Sequence, residues 1–316
     1  MTVTTVEGPL DAAELGATLM HEHIYSLYSE YRNEYGWDEQ AAVRTAVATM
    51  QDLRAAGIRT IVDMTVLGLG RSVARQRRIA ELSGMQIVAA TGIYTFGDLP
   101  NFWRNRSAHN PDFIADFFVR ELTEGVGDTG VRPAVIKLVT DAQGITADGE
   151  VIARQVAKAQ LRTNAVISTH SHSATRQGLA QQKILADHGV DLGSVVIGHA
   201  GDSTDLDYLT RLADAGSWLG MDRFGYAPAG SLEQRVDTVV AMCERGYASR
   251  MVLSHDTNIV SDSVPDEVRH SPELADWHYR CISDLVLPAL RERGVSEADI
   301  EAMMVANPRA VLDRSS

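Results

Sequence analysis

The chain is short of cysteine, of aromatic residues and of long apolar runs. Two cysteines, Cys243 and Cys281, stand in 316 residues. Neither belongs to a CxxC spacing, and both fall in segments that read as helix. A disulfide scaffold or a zinc knuckle is therefore not expected, and two reduced, semi-buried thiols are. No stretch approaches the roughly 20 consecutive apolar residues that a bilayer-crossing helix needs. The N-terminal MTVTTVEGPLDAAEL has neither a basic segment nor an apolar core, so no signal peptide is read and a cytoplasmic location is expected. Positive charge is scarce as well. Lys and Arg number 29 against 42 Asp and Glu, a net charge of −13. Such a surface repels nucleic-acid backbones and anionic membranes, so neither is expected as a partner. Two motifs are also missing. The first strand is not followed by GxGxxG, and LGLGR at 67–71 is a weak substitute. There is no GxSxG for a serine nucleophile.

What the chain has is a recurring alternation. Short Val- and Ile-rich runs occur at 18–23, 60–65, 86–93, 134–140, 165–170, 194–199, 217–223 and 250–256. Longer amphipathic stretches follow most of them, with helices expected at 38–57, 74–84, 149–163, 175–189, 272–292 and 296–313. Strands that are apolar throughout fit burial on both faces of a parallel sheet. The count favours a single (β/α)8 TIM barrel over an open doubly wound sheet, with residues 1–316 as one domain and the active site at the C-terminal face.

Polar residues interrupt these runs at telling places. His21 and His23 in TLMHEHI are two apart, so a strand points both the same way. Lys137 sits inside the apolar VIKLV. His170 closes AVISTH, His199 follows VVIG and Asp256 closes VLSHD. Taken singly, each has an ordinary explanation: a packed histidine, a paired lysine, a helix-capping aspartate. Together, four imidazoles, one amine and one carboxylate at one barrel mouth would leave costly buried polar groups unless something compensated them. A metal centre does so, and these donors suit zinc, iron, cobalt or manganese better than magnesium or calcium. Alternation turns Glu22, His172 and His255 away from that centre, while His188 and His278 read as helical, structural residues.

On these residues the sequence resembles the phosphotriesterase family of the amidohydrolase superfamily, and within it the phosphotriesterase-like lactonases. The similarity runs from TLMHEH to ANPRAVL through ATGIY, TGVRPAVIKL, VIGHAGD, GMDRFG and LSHD. The resemblance implies two divalent metal ions, zinc first, with cobalt, manganese or iron as alternatives. It implies that His21, His23 and Asp256 hold the more buried ion and His170 and His199 the more exposed one. Lys137, carboxylated to N6-carboxylysine, would bridge both ions, with a hydroxide as second bridge and nucleophile. Asp256 would also shuttle the proton. Tyr94 and Arg223 match positions that shape a lactone pocket, with Phe96 an alternative to Tyr94. The implied activity is lactone hydrolysis, N-acyl homoserine lactones first, in the manner of quorum quenching. Phosphotriester hydrolysis is the implied side activity, and ester or amide hydrolysis an alternative. An inert metal-binding protein fits less well, because all the metal-ligand positions are filled. The implied assembly is a homodimer. Tyr94, Phe96, Phe102 and Trp103 after the third strand, with Ile259 and Val260 after the eighth, are expected to form an apolar channel for an acyl tail.

Overall fold

The computed structural model describes residues 2–313. Two short strands, β1 (Thr2–Thr5) and β2 (Gly8–Asp11), form an antiparallel hairpin that the sequence pattern did not announce. Nine parallel strands follow: β3 (Ala17–Ser26), β4 (Ile58–Asp63), β5 (Gln86–Gly92), β6 (Val135–Val139), β7 (Val166–His170), β8 (Val195–Ile197), β9 (Trp218–Met221), β10 (Met251–Leu253) and β11 (Asn258–Ser261). Strands β3 to β10 correspond to the eight expected runs. Each pairs with the next in chain order, the pattern of repeated βα units. The fold is a TIM barrel.

The strands are buried on both faces, and alternation sorts their side chains. Val62, Val88, Val135, Val166, Val196, Trp218 and Val252 fill the lumen in one cluster. Ile61, Ile87, Ile136, Ile167, Ile197, Leu219 and Leu253 pack outward against the helices. β3 needs a correction to its phase. One more residue separates Leu19 from Glu22 than separates their partners Ile61 and Asp63. That extra residue lets Met20 join the lumen cluster while His21 and His23, further along, turn inward too.

The seam between β10 and β3 is closed by individual groups rather than by a regular ladder. The His21 amide donates to Ser254 Oγ at 2.7 Å, and the Asp256 amide to the His21 carbonyl at 3.1 Å. β11 then lies beside β3, pairing Asn258 with His23. The first and last strands of the barrel thus meet at the HEH stretch.

Most helices fall where expected, with identifiable ends. Asp38 caps Glu39–Ala55 by accepting from the Ala41 amide, and Ser72 caps Val73–Ser83. The expected helix over 272–292 is not continuous. Residues 275–280 form turns, and the helical run starts at Cys281. The reason lies in side-chain anchoring: Trp277 Nε1 donates to the His255 carbonyl at 3.1 Å and Tyr279 Oη to the His23 carbonyl at 2.7 Å. These bonds hold the segment across the barrel seam, so His278 lies in a bend and not in a helix. Wide π-turns at Ile282–Val286 and Ala302–Ala306 directly precede the helical segments containing Pro288 and Pro308, whose missing amides an α-turn could not accommodate. Cys281 is fully buried and Cys243 partly so, both free. Among the described residues, no helix is long and apolar enough to cross a membrane.

Space inside the barrel is tightest where β7 meets β8. A Cβ on Gly198 would sit 1.8 Å from the Thr169 carbonyl oxygen. Gly246, by contrast, is strained only by its φ of +86°, with nothing near it. Gly198→Ala should therefore cost at least about 3 kcal/mol in urea unfolding, and Gly246→Ala about 1 kcal/mol. Equal costs would mean that the barrel relaxes around residue 198.

Candidate metal centre and its cavity

The six predicted ligand residues converge. His21, His23, Lys137, His170 and His199 are buried, and Asp256 is partly exposed. His21, His23, Lys137 and His170 stand on strands. His199, Arg223 and Asp256 each follow the end of a strand in the left-handed region, with φ of 59°, 62° and 52°. That turn, unusual for residues with a Cβ, swings each side chain toward the mouth as the strand ends.

The rings are held from behind. Asp222 Oδ1 accepts from His199 Nδ1 at 2.7 Å, and Asp222 Oδ2 lies 3.3 Å from His21 Nδ1. Thr65 gives its hydroxyl proton to the Tyr25 carbonyl, so its oxygen accepts from His23 Nδ1 at 3.0 Å. With Nδ1 of His199 and His23 turned to Asp222 and Thr65, and Nδ1 of His21 beside Asp222, the rings present Nε2 to the front. His199 Nε2 lies 2.8 Å from His170 Nδ1, and Nε2 of all three rings comes near one carboxylate. His23 Nε2 is 3.3 Å from Asp256 Oδ1, His21 Nε2 is 3.6 Å from the same oxygen, and His199 Nε2 is 3.8 Å from Oδ2.

A carboxylate facing an imidazole lone pair in a buried space, as Asp256 faces His23, needs a proton or a cation between the two. Protons are resisted. Burial and the neighbouring Lys137 push His21 down to about 3, and burial with His199 takes His170 well below its usual value. Burial opposes ionisation of Asp256 and Asp222 too, but their histidine neighbours win and both stay ionised. Deprotonated imidazoles and carboxylates around a shared space are what a divalent transition metal requires, and the residues fit one. Lys137 lies in the same space, its Nζ 3.0 Å from His21 Nε2. Burial brings the amine down to about 8, against the opposing pull of Asp256 and Asp222.

Asp222 is the member that sequence reasoning overlooked. GMDRFG was read for Arg223 alone. Counting inward positions from Trp218 through Gly220 reaches Asp222, which is the signal that could have found it. Arg223 itself is already engaged. Its Nε donates to Asp256 Oδ2 at 3.0 Å and its Nη1 to Asp202 Oδ2 at 2.9 Å, with Arg235 holding the other oxygen of Asp202.

The centre opens into a cavity of about 220 Å³. Its lining joins the ligand-type Lys137, His170, His23 and Asp256 and the polar Ser26, Asn258 and Ser263 with Leu69, Val264, Tyr226 and Trp277. Tyr94 and Arg223 line it as well. Both Tyr94 and Phe96 lie against the His170 ring, with centroids 5.8 and 5.6 Å away, but only Tyr94 lines the cavity. The expected channel differs in its walls. Phe102 and Trp103 stack with Phe113, and Trp103 also with Phe117 and Phe118; they anchor their loop, and neither lines the cavity. Ile259 and Val260 border other surface hollows. One of these, about 840 Å³, includes Tyr28, Tyr31, Trp37 and Val260 and shares Val264 with the smaller cavity. Size alone would favour this hollow, but the chemistry belongs to the small cavity, where the ligand-type side chains meet.

His172 and His255 lie outside the centre, as expected, but for His172 the cause is that β7 ends at His170, since a continued strand would point residue 172 the same way as 170. His172 Nδ1 contacts Thr175 Oγ1, and His255 is fully buried against Glu22. His188 closes the helix Gln177–Asp187 and donates to the Ile184 carbonyl.

A TIM barrel with such a mouth defines a metal-dependent hydrolase, a barrel that uses bound cations to activate water. The chain belongs to the phosphotriesterase family: the family model matches residues 1–312, and members of the family are binuclear metal enzymes. A phosphotriesterase homology protein of Mycobacterium tuberculosis is 44% identical, over 99% of this chain and 98% of its own. A phosphotriesterase structure from Mycobacterium tuberculosis superposes with a TM-score of 0.96 at 43% identity, covering 99% of both chains. A second structure, from work engineering organophosphate hydrolysis on a weak promiscuous lactonase template, gives a TM-score of 0.90 at 32% identity over 99% of this chain and 100% of its own.

Because Asp222 lies against both His199 and His21, Asp222→Asn should lower metal affinity by about 10–100-fold. Titration with a chromophoric chelator measures this, and unchanged affinity would contradict the role.

Proposed function

We propose that the protein opens lactones, N-acyl homoserine lactones first, at a binuclear metal centre. The observation that carries this reading is the cavity's mixed lining: ligand-type side chains and the apolar Leu69, Val264 and Trp277 enclose about 220 Å³, enough for a small ring, and Val264 also borders the larger hollow. A polar lactone head with an apolar tail matches that shape. The similarity to a lactonase template supports it.

In this reading His21, His23 and Asp256 would hold one ion, His170 and His199 the other, and a carboxylated Lys137 would serve both. An ammonium cannot bridge two cations, whereas its carbamate carries two oxygens and a negative charge. Zinc is the first candidate, with cobalt, manganese and iron behind it. When bound, the ions supply an activated water and polarise the ester carbonyl. The chain's own groups do the rest. Asp222 and Thr65 fix the ring orientations. Arg223 holds Asp256 by Oδ2, which leaves Oδ1 toward His21 and His23 and places the carboxylate to take a proton from the attacking water. Tyr94 packs over Lys137, with Nζ 5.6 Å from the ring centre, and shields it from solvent. Phosphotriester hydrolysis uses the same centre and is the second reading, supported by the names of the relatives. Residues 1–316 act as one domain, and a homodimer is the assembly we propose.

Acyl homoserine lactones, simple γ- and δ-lactones and a phosphotriester, assayed with defined metals, test the substrate. Lactone opening should exceed phosphotriester hydrolysis, and turnover of phosphorus substrates alone would overturn the reading. Lys137→Ala should lose dimetal occupancy and regain part of it with a short carboxylic acid; unchanged occupancy would exclude the bridge. Val264→Asp should raise KM for long-chain acyl lactones roughly tenfold, about 1.4 kcal/mol, and leave an unsubstituted γ-lactone nearly unaffected. Equal effects on both would place the tail elsewhere.

A further inference from the structure

Glu22 lies between two ligand-type histidines yet faces away from them, fully buried on the other side of β3. Its carboxylate is heavily used. Oε1 accepts from the His255 amide and from His255 Nδ1, both at 2.8 Å, and Oε2 lies 3.3 Å from the Thr257 amide. The two backbone donors flank Asp256, which sits at φ 52°. We propose that Glu22 is a positioning residue: it clamps the peptide on either side of Asp256 and so holds that aspartate in the left-handed turn that aims its carboxylate at His21 and His23.

Three further contacts show why the clamp is rigid. The His255 ring, fixed by Glu22 at Nδ1, accepts at Nε2 from the Ile282 amide at 3.0 Å. Trp277 Nε1 holds the His255 carbonyl, and the His23 amide donates to the Thr257 carbonyl at 3.0 Å. Residues 255 and 257 are thus tied to β3 and to the C-terminal segment, while Asp256 keeps its side chain for the mouth. A carboxylate suits the task because it accepts on both oxygens and donates on neither. Two backbone donors and one ring donor converge on it, and an amide would oppose one of them with its own N–H.

The proposal rests on reading Asp256 as a metal ligand, and its test separates the two ideas. In metal-free protein, amide hydrogen exchange reports the clamp directly. Glu22→Gln should keep its oxygen on the two His255 donors and set its NH2 against Thr257, so exchange at the Thr257 amide should rise at least tenfold while His255 changes little. Glu22→Ala should expose both. Unchanged exchange in both variants overturns the clamp whatever the metals do. In metal-loaded protein, Glu22→Gln should release one of its two ions to a chelator about ten times faster and lower kcat more than it raises KM. Combining Glu22→Ala with Asp256→Ala should release metal no faster than Asp256→Ala alone. An additive effect overturns action through Asp256. Failure of wild-type protein to take up two ions would instead count against the binuclear reading, and the exchange result would still decide the clamp.

Discussion

Everything at the barrel mouth follows from one electrostatic constraint. Buried acceptors have been aimed at one another. Asp222 and Thr65 accept from the backs of the His199 and His23 rings, Asp222 also lies beside His21 Nδ1, and Nε2 of all three rings comes near the carboxylate of Asp256. Lys137 and His170 offer donors to Nε2 of His21 and His199, at 3.0 and 2.8 Å, which leaves His23 Nε2 against the Asp256 carboxylate as the unmet pair. Burial keeps His21 from relieving it by taking a proton. The cost of that frustration is what a divalent cation removes on binding, so affinity is built into the protein as an unsatisfied demand.

The geometry behind this demand was only partly legible in the chain. His21 and His23 could be placed on one strand face from their spacing, and Lys137, His170, His199 and Asp256 at the mouth from their position in or after apolar runs. Alternation also set Glu22 and His255 aside correctly. It could not reveal why His199, Arg223 and Asp256 reach the site, because that depends on left-handed turns after β8, β9 and β10 that a two-residue period does not encode. Nor did it reveal the extra residue in β3 that shifts its phase between Met20 and His21. Asp222 is masked in the sequence by its neighbour, because GMDRFG draws attention to Arg223.

Loops were harder to read than strands. Aromatic side chains in YTFGDLPNFWRN suit a substrate channel and a packing cluster equally well, and only coordinates separate the two. Tyr94 went to the cavity, and Trp103 to a stack with Phe113, Phe117 and Phe118. The apolar wall came from Leu69, Tyr226, Val264 and Trp277, four residues from distant segments with no shared sequence signature. The failed helix at 275–280 has a related cause. Trp277 and Tyr279 were needed at the seam, and tertiary hydrogen bonds overrode the local preference for helix.

The three left-handed residues also bear on how this protein can change over time. Glycine would relax the backbone at 199, 223 or 256, where a side chain costs roughly 1 kcal/mol or more. A lineage selected only for resistance to heat would therefore be drawn toward glycine at the three positions whose side chains gather at the mouth. Their persistence as histidine, arginine and aspartate would mark a lineage still under selection for turnover. Loss of catalysis in a descendant should show there first, as smaller side chains and a more robust barrel.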